Sequence, residues 1–401
     1  MSTADLMKSL HIANYPKRWD FLYEALTKEY LIRGCVFLQQ EYLVSLNREY
    51  RIFERTLAEI LAAAAKTREK PDLVRYIMLL NLAMKDRIAF KTEVNSMEPP
   101  LAPVGEDTTP YDFALLFAVL PYTPEIDKGY REHCVPSDVR YATLTAYEEC
   151  MFGYRNRFDR FGFDVRYLNW IQLYIDERIL RIGRLNFEMR PRFGSCVNAL
   201  MNNKGEIKIM MTDMRIHRRG GILGNPGYAD EDGAYDAKFV ETEDYYEGHL
   251  VRTDGYVNRE PVRLSKSDWH IALSGNDPVL SIHIPAGQKL SFALCESSYA
   301  RAREIFTECY SDFGYKAFVC FSWLMDPQLA LLLPPDSNII TFQSKFTRFP
   351  RPCSGKAVLN FVFFNRFNTY ENLPENTSLE RSLKRHYLDG KYIYESGGVF
   401  F

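Results

Sequence analysis

Hydrophobic and polar positions change rhythm once along this chain. Over residues 21–26, 53–64 and 74–89, apolar residues recur at mixed three and four spacing among Lys, Arg and Glu, the pattern of amphipathic helices. The 97–112 segment, MEPPLAPVGEDTTPYD, is rich in Pro and turn formers and reads as a connector or surface excursion. Helical spacing resumes over 113–120, 140–150 and 167–175, with Pro136, Ser137 and Asp138 as a start signal. Beyond residue 176 extended segments dominate. The stretch 178–188, RILRIGRLNFE, is expected to be a strand because Gly183 argues against a helix interior. Residues 206–213 and 245–257 also read as extended, 218–233 as a Gly- and acid-rich loop, 356–364 (KAVLNFVFF) as a buried strand, and 379–388 as a short amphipathic helix. The fold class expected is α+β: a mainly helical region over 1–176 and a mixed-sheet α/β region over 177–401.

The stretch 278–349 organises the second region. β-Branched Val279, Ile282 and Ile284 make a strand that stops at Pro285 and Gly287. Ala300, Ala302, Ile305 and Phe306 fall near helical spacing, with Ser297 or Ser298 as N-cap. The apolar run 317–325 then fits a second strand buried on both faces. In a strand–loop–helix–strand unit, ligands sit beyond the carboxyl ends of the strands, near free helix N-terminal N–H groups. That places the expected site at 283–298 and 322–326.

Composition narrows the partners. With 401 residues, 46% hydrophobic and 25% charged, the chain reads as a soluble globular protein able to bury a large core. A formal net charge of -2 argues against nucleic acid and anionic membrane as partners. The opening MSTADLMKSLHIANYPKRW lacks a secretory apolar core and no long apolar run follows, so a cytoplasmic location is expected. Eight cysteines are scattered without C-x-x-C spacing, the pattern of reduced thiols, and no metal site is expected. There is no G-x-x-x-x-G-K-[ST] loop, no G-x-S-x-G elbow and no H-E-x-x-H helix. The RRGGILGNPG stretch, 218–227, has the G-x-x-G spacing of an RNA clamp, but the acidic residues after it favour a hairpin loop.

Five ordered blocks carry a resemblance: RIGRLNFEM (181–189), LSIHIP (280–285), CESSYARAREIF (295–306), CFSWLMDPQL (320–329) and SNIITFQSKF (337–346), followed by the closing TSLERSLKRHYLDGKYIYESGGVFF. Together they resemble a bacterial acyltransferase family that pairs a helical N-acyltransferase-type N-terminal domain with a GNAT-like C-terminal domain. The resemblance implies an acyl-CoA-dependent N-acyltransferase without a metal. Acyl-CoA, the co-substrate, would lie in a gap between two splayed parallel strands, with its pyrophosphate on N–H groups at the next helix N-terminus. A small-molecule amine acceptor would attack the thioester directly. Mapped here, 279–284 resembles the strand before the pyrophosphate loop, 285–298 the loop and helix start, and 317–325 the splayed partner. Ile284, Gly287, Gln288, Lys289 and Ser297 are the implied cofactor-binding residues. GNAT loops usually carry Q/R-x-x-G-x-G/A, whereas this one has Gly287 alone.

His283 is the first candidate for the base, because it interrupts an apolar strand end at the mouth of the cleft and an imidazole exchanges protons near neutrality. Its alternative use is structural, bonded to backbone. Glu188 is the other candidate base, against a solvated strand-end glutamate. Trp323 and Asp326 are candidate acceptor-binding residues; the plainer uses are a core indole and a cap on the helix 328–333. No tyrosine lies between Ser322 and Phe349, so the leaving thiolate departs unaided or takes a proton from Tyr310, Tyr315 or water. Cys320, buried with no basic neighbour in sequence, is rejected as a nucleophile. The alternative function is a non-catalytic small-ligand or carbohydrate-binding protein on a degenerate GNAT-like fold.

Overall fold

The computed structural model describes residues 1–33 and 35–401, with side chains described outside 27–34. The chain divides into two compact units, Met1–Arg181 and Ile182–Phe401. The first is helical as far as Ile175, with principal helices Arg18–Arg33, Gln40–Tyr50, Leu57–Arg68, Pro71–Met84, Thr109–Val119, Thr123–Glu132, Ala146–Phe158 and Val165–Ile175. Thr109–Val119 is buried from Pro110 to Val119 and contacts Leu57–Arg68, Pro71–Met84 and Val165–Ile175. Apart from Asp112, which accepts from Tyr154 and Arg160, its buried residues are apolar or aromatic on every side, as in a central helix. Buried Glu148 accepts the N–H groups of Arg55 and Thr56 at 2.8 and 3.0 Å, satisfying donors just before the helix that starts at Leu57. The predicted run 140–150 is two helices, Ser137–Leu144 and Ala146–Phe158, and 74–89 falls across Pro71–Met84 and Arg87–Glu93.

The second unit is built on one sheet. The strands of that sheet in chain order are β1 (Ile179–Ile182), which begins before the boundary between the units, β2 (Leu185–Arg190), β3 (Val279–His283), β4 (Ala317–Ser322), β5 (Thr347–Phe349) and β6 (Ser396–Phe400). Their order across the sheet is β1-β2-β3-β4-β6-β5. β3 runs antiparallel to β2 and parallel to β4, while β6 runs antiparallel to both β4 and β5. The expected single strand over 178–188 is instead β1 and β2, broken at Gly183, whose φ of +60° favours a residue without Cβ. The glycine also lets the turn approach the next layer: a Cβ there would lie 2.7 Å from Ser298 Oγ.

Two layers cover the sheet. Helix α1 (Phe292–Cys309) packs one face through Tyr299 and Phe306, which meet Phe187 and Phe318 edge-on or tilted. The other face carries Val279, Ala317, Val319, Val399 and Phe349 into a buried cluster with Val197, Ile209, Met211, Ile216 and Ile222. Those partners come from a β-rich insertion between β2 and β3, which forms separate sheets of three, two and three strands. Period-two burial on β3 and β4 therefore serves two different layers.

Four expectations in this unit need correction. The strand expected over 317–325 ends at Ser322, and Trp323–Met325 is a 3-10 turn started by the Ser322 hydroxyl, which accepts from Leu324 N–H at 3.1 Å. The KAVLNFVFF run is not a strand but a short helix, Ala357–Phe361; Ala357, Val358 and Phe363 are buried while Phe361 is 69% exposed, so the run is covered on one side only. Extended structure from Tyr245 ends at Gly248, with only isolated bridges at Leu250, Val251 and Val257. Helix α1 starts at Phe292, after Ser291, rather than at Ser297 or Ser298. The helix predicted at 379–388 is present as Ser378–Leu388, opened by a capping box between Thr377 and Glu380.

Candidate functional site

The parallel ladder between β3 and β4 pairs Val279 with Ala317, Leu280 with Phe318, Ser281 with Val319 and Ile282 with Cys320. It goes no further. β4 continues to Ser322, held by β6 through Phe321–Gly397 and Ser322–Ser396, while β3 continues to His283, held by β2 through Asn186. Past Ile282 each strand keeps its outer neighbour and loses its inner one. Pro285, with no N–H to give, ends the strand at this point.

His283 stands where the ladder ends. Its ring Nε2 lies 2.8 Å from Glu188 Oε2, with the histidine side chain 33% exposed and the glutamate nearly buried. The sheet register produces this pair: Glu188 faces Ser281 across β2 and β3, and His283 is two residues further along the same face. The two residues that the sequence offered as alternative bases thus form one carboxylate–imidazole couple. A carboxylate on one ring nitrogen fixes the orientation of the imidazole.

The loop after β3 runs from Ile284 to Ser291, with Ala286, Gly287, Gln288 and Lys289 exposed and Ile284 half-buried. Gly287 has a φ of +101°, and a Cβ there would meet nothing within 4 Å, so this glycine is required by backbone conformation rather than by space. Buried Arg184, from the β1–β2 turn, braces the loop. Its Nη2 donates to Gln288 O at 2.8 Å and its Nε to Lys289 O at 3.2 Å. In trans peptides the N–H points opposite to the carbonyl, so the N–H groups of Lys289 and Leu290 face away from Arg184. Helix α1 follows at once, and its N-cap Ser291 makes no side-chain capping bond. The first-turn donors are therefore left for another acceptor. Sequence reasoning missed Arg184; nothing in its sequence neighbourhood but the adjacent turn glycine marks it.

Ser297 does not sit at the helix start. It is an exposed residue in the second turn of α1, so its place among the cofactor-binding residues is withdrawn. Neighbouring Ser298 is buried and structural: its Oγ donates to Leu294 O at 2.7 Å and accepts from Arg184 N–H at 2.8 Å.

Trp323 is 9% exposed, as a core indole would be. Asp326 is buried, and both carboxylate oxygens are engaged: Oδ1 accepts from Gln328 N–H at 3.0 Å, and Oδ2 from Tyr394 N–H at 2.6 Å. It caps the short 3-10 helix Pro327–Leu331, not the expected 328–333. Burial pushes its pKa up to about 6, against the lowering effect of the Tyr394 and Gln328 donors. Asp326 also lines a small solvent-open cleft with Tyr228, Tyr256, Gln328, Arg351 and Tyr394. The 218–227 loop supplies Gly221, Ile222 and Asn225 to the same cleft, so this glycine-rich hairpin is a wall of a pocket. Tyr315 packs on Phe318 and Phe306 just before the amino end of β4, the opposite end of the sheet from His283. Burial holds the Cys320 thiol up at about 12, in keeping with its rejection as a nucleophile. Among the described residues, no His, Cys, Asp and Glu cluster suits a metal ion, and no helix is long and apolar enough to cross a membrane.

Comparison with known proteins bears on this geometry. No curated protein matches the chain in sequence. Among solved structures, the chain is similar to an acyltransferase in complex with decanoyl-CoA and teicoplanin, at 19% identity and a TM-score of 0.64, covering 100% of this chain and 99% of that one. A mutant acyltransferase in complex with octanoyl-CoA has 18% identity and a TM-score of 0.62 over the same shares. Another acyltransferase structure, with CoA and 10C-teicoplanin, has 19% identity and a TM-score of 0.63, again over the same shares. At such identities the likeness is one of fold. The family model for the GNAT-like C-terminal domain matches residues 179–400, from the first strand of the main sheet to the last, and the chain belongs to that family.

Proposed function

We propose that the protein is an acyl-CoA-dependent N-acyltransferase that moves an acyl group to a small-molecule amine by direct attack. The observation that carries this reading is the parting of β3 and β4 beyond Ile282 and Cys320, beside the Glu188–His283 couple. A thioester lying in that gap is flanked by an imidazole on one side and by the outward N–H groups of Lys289 and Leu290 and the uncapped start of α1 on the other. The complexes of similar fold with decanoyl-CoA and octanoyl-CoA support the same donor class.

In this reading Ile284, Gly287, Gln288 and Lys289 hold the pyrophosphate with their main chain, and Arg184 fixes that main chain from behind. His283 takes a proton from the acceptor ammonium, and Glu188 stabilises the imidazolium that forms. The free amine forms the C–N bond, the C–S bond breaks, and the CoA thiolate takes its proton from solvent. None of the eight cysteines is in a disulfide, which suits a reducing compartment such as the cytoplasm.

Two measurements test the proposal. Acyl-CoA esters graded in chain length should raise the melting temperature, since a ligand selective for the folded state stabilises it; no shift with any ester, together with a shift by a sugar, would make the protein a non-catalytic binder. With an accepted amine in hand, His283→Ala should lower kcat by roughly 10²–10³ with little change in melting temperature. A large loss of stability with unchanged turnover would assign the imidazole to structure.

A further inference from the structure

Two arginines converge on one phenyl ring on the face of the sheet that carries the imidazole. Arg351 places its guanidinium carbon 4.1 Å from the Phe321 ring centroid, and Arg190 places its own 5.2 Å away. Phe321 is one position beyond Cys320, so it stands beside His283 where β3 and β4 separate. Arg190 lies on the same face of β2 as Glu188, two residues along. Both arginines are half-buried. Among the described residues, neither guanidinium forms a salt bridge or donates a hydrogen bond, whereas most other arginines of this unit are bonded to a carboxylate or a carbonyl. Asn225 bonds only the backbone carbonyl of Arg351. Burial holds Arg351 below the usual guanidinium range and Arg190 adds to the shift, opposed by Cys196 and by Glu395, which is near without bridging.

Phe321 alone does not explain the arrangement. A cation–π contact is satisfied by one guanidinium, and a second like charge beside it costs Coulomb energy in a partly desolvated place. An anion between the two removes that repulsion and gives each planar fork its acceptor. Arg351 also lines the cleft walled by Tyr228, Tyr256 and Tyr394, so its side of the pair is open to a ligand entering there.

We propose that Arg190 and Arg351 form an anion-binding subsite for the acceptor, so that the amine acylated here belongs to a molecule bearing a carboxylate or phosphate group. The subsite rests on the acyl-transfer reading above. Arg190 stands on β2 and Arg351 follows β5, and the Phe321 ring that both approach is beside His283, so that an acceptor held by its anion at the arginines offers its amine to the imidazole. The tyrosine rings of the cleft give the body of the acceptor flat surfaces to lie against.

The probe is inorganic phosphate, titrated calorimetrically at low ionic strength into the full chain and into Arg190→Gln, Arg351→Gln, Arg351→Lys and, as a control, Arg263→Gln on the insertion. Wild type and the control should bind one phosphate saturably, and each of the Gln variants about tenfold or more weaker. Arg351→Lys keeps the charge and loses the fork, so it should fall between them; far-UV circular dichroism shows that each variant is folded. Absence of phosphate binding in wild type, or binding unchanged in folded Arg190→Gln and Arg351→Gln, would overturn the subsite. Repeating the titration with the protein saturated by acyl-CoA separates the sources of the anion. Phosphate should still bind, whereas its displacement by CoA but not by dephospho-CoA would give the arginines to the donor's own phosphate and overturn the assignment to the acceptor. Phosphate binding without acyl-CoA binding would leave the anion site standing and remove the acyl-transfer reading; the reverse would do the opposite.

Discussion

Two irregular segments flank the carboxyl end of β4, and each is tied down by a single buried charge of opposite sign. On the β3 side Arg184 draws in the carbonyls of Gln288 and Lys289. On the β6 side Asp326 draws in the N–H groups of Gln328 and Tyr394. The difference decides what each segment offers outward. A loop whose carbonyls are taken by a cation turns N–H groups to the ligand and favours an anion, whereas a loop whose N–H groups are taken by a carboxylate has none to spare. One buried arginine thus supports the conformation of a loop that has only Gly287 where GNAT loops usually have more.

Substitutions that remove each tie test this contrast. Arg184→Ala should do most: two charge-assisted bonds disappear and two carbonyls lose their partner, for a loss of about 3–5 kcal/mol in urea unfolding and a weaker acyl-CoA affinity. Arg184→Lys, which cannot reproduce the fork, should restore only part. Unchanged acyl-CoA affinity in a folded Arg184→Ala protein would separate the brace from the donor site.

Asp326 should show itself through pH. Its carboxyl has a folded pKa of about 6, above the ordinary 3.8, so between those values the folded state keeps a proton that the unfolded chain loses. Stability contributed by this group is full below about pH 4, falls as pH rises through about 6, and is level beyond, a change on the order of 2–3 kcal/mol. Asp326→Asn should abolish that slope in unfolding measured from pH 4 to 7; a slope that survives the substitution would place the proton elsewhere. Ser298→Ala, which orphans the buried Arg184 N–H, should cost about 1–2 kcal/mol. Gly287→Ala should cost the least, about 1 kcal/mol from its positive φ with no steric clash, and should appear as weaker acyl-CoA binding more than as a lower melting temperature.

What the sequence made legible follows what is local. Pro285 ends β3 where expected, because a missing N–H acts within its own residue. The helical first unit was readable because its amphipathic spacing repeats within single turns. The start of α1 was misplaced because Ser297 and Ser298 have the side chains of caps, while Ser291 occupies the N-cap position by backbone conformation alone. KAVLNFVFF is apolar enough for a strand, but whether a second layer covers it is a tertiary fact. His283 and Glu188 were each visible as candidates and could not be joined, since their contact depends on a register between strands far apart in sequence. Arg190 and Arg351 were not visible at all. Neither stands in a motif, and their lack of an ionic partner is a property of the folded face.

That separation has a consequence for how the protein comes into being. The imidazole and its carboxylate are 95 positions apart in the chain, and almost all of the residues between them belong to the β insertion. Closing so long a loop costs entropy that only non-local pairing repays, so the couple belongs to the late events of folding. A polypeptide still emerging from the ribosome carries Glu188 well before it can hold His283, and a fragment ending anywhere inside the insertion contains half of the couple.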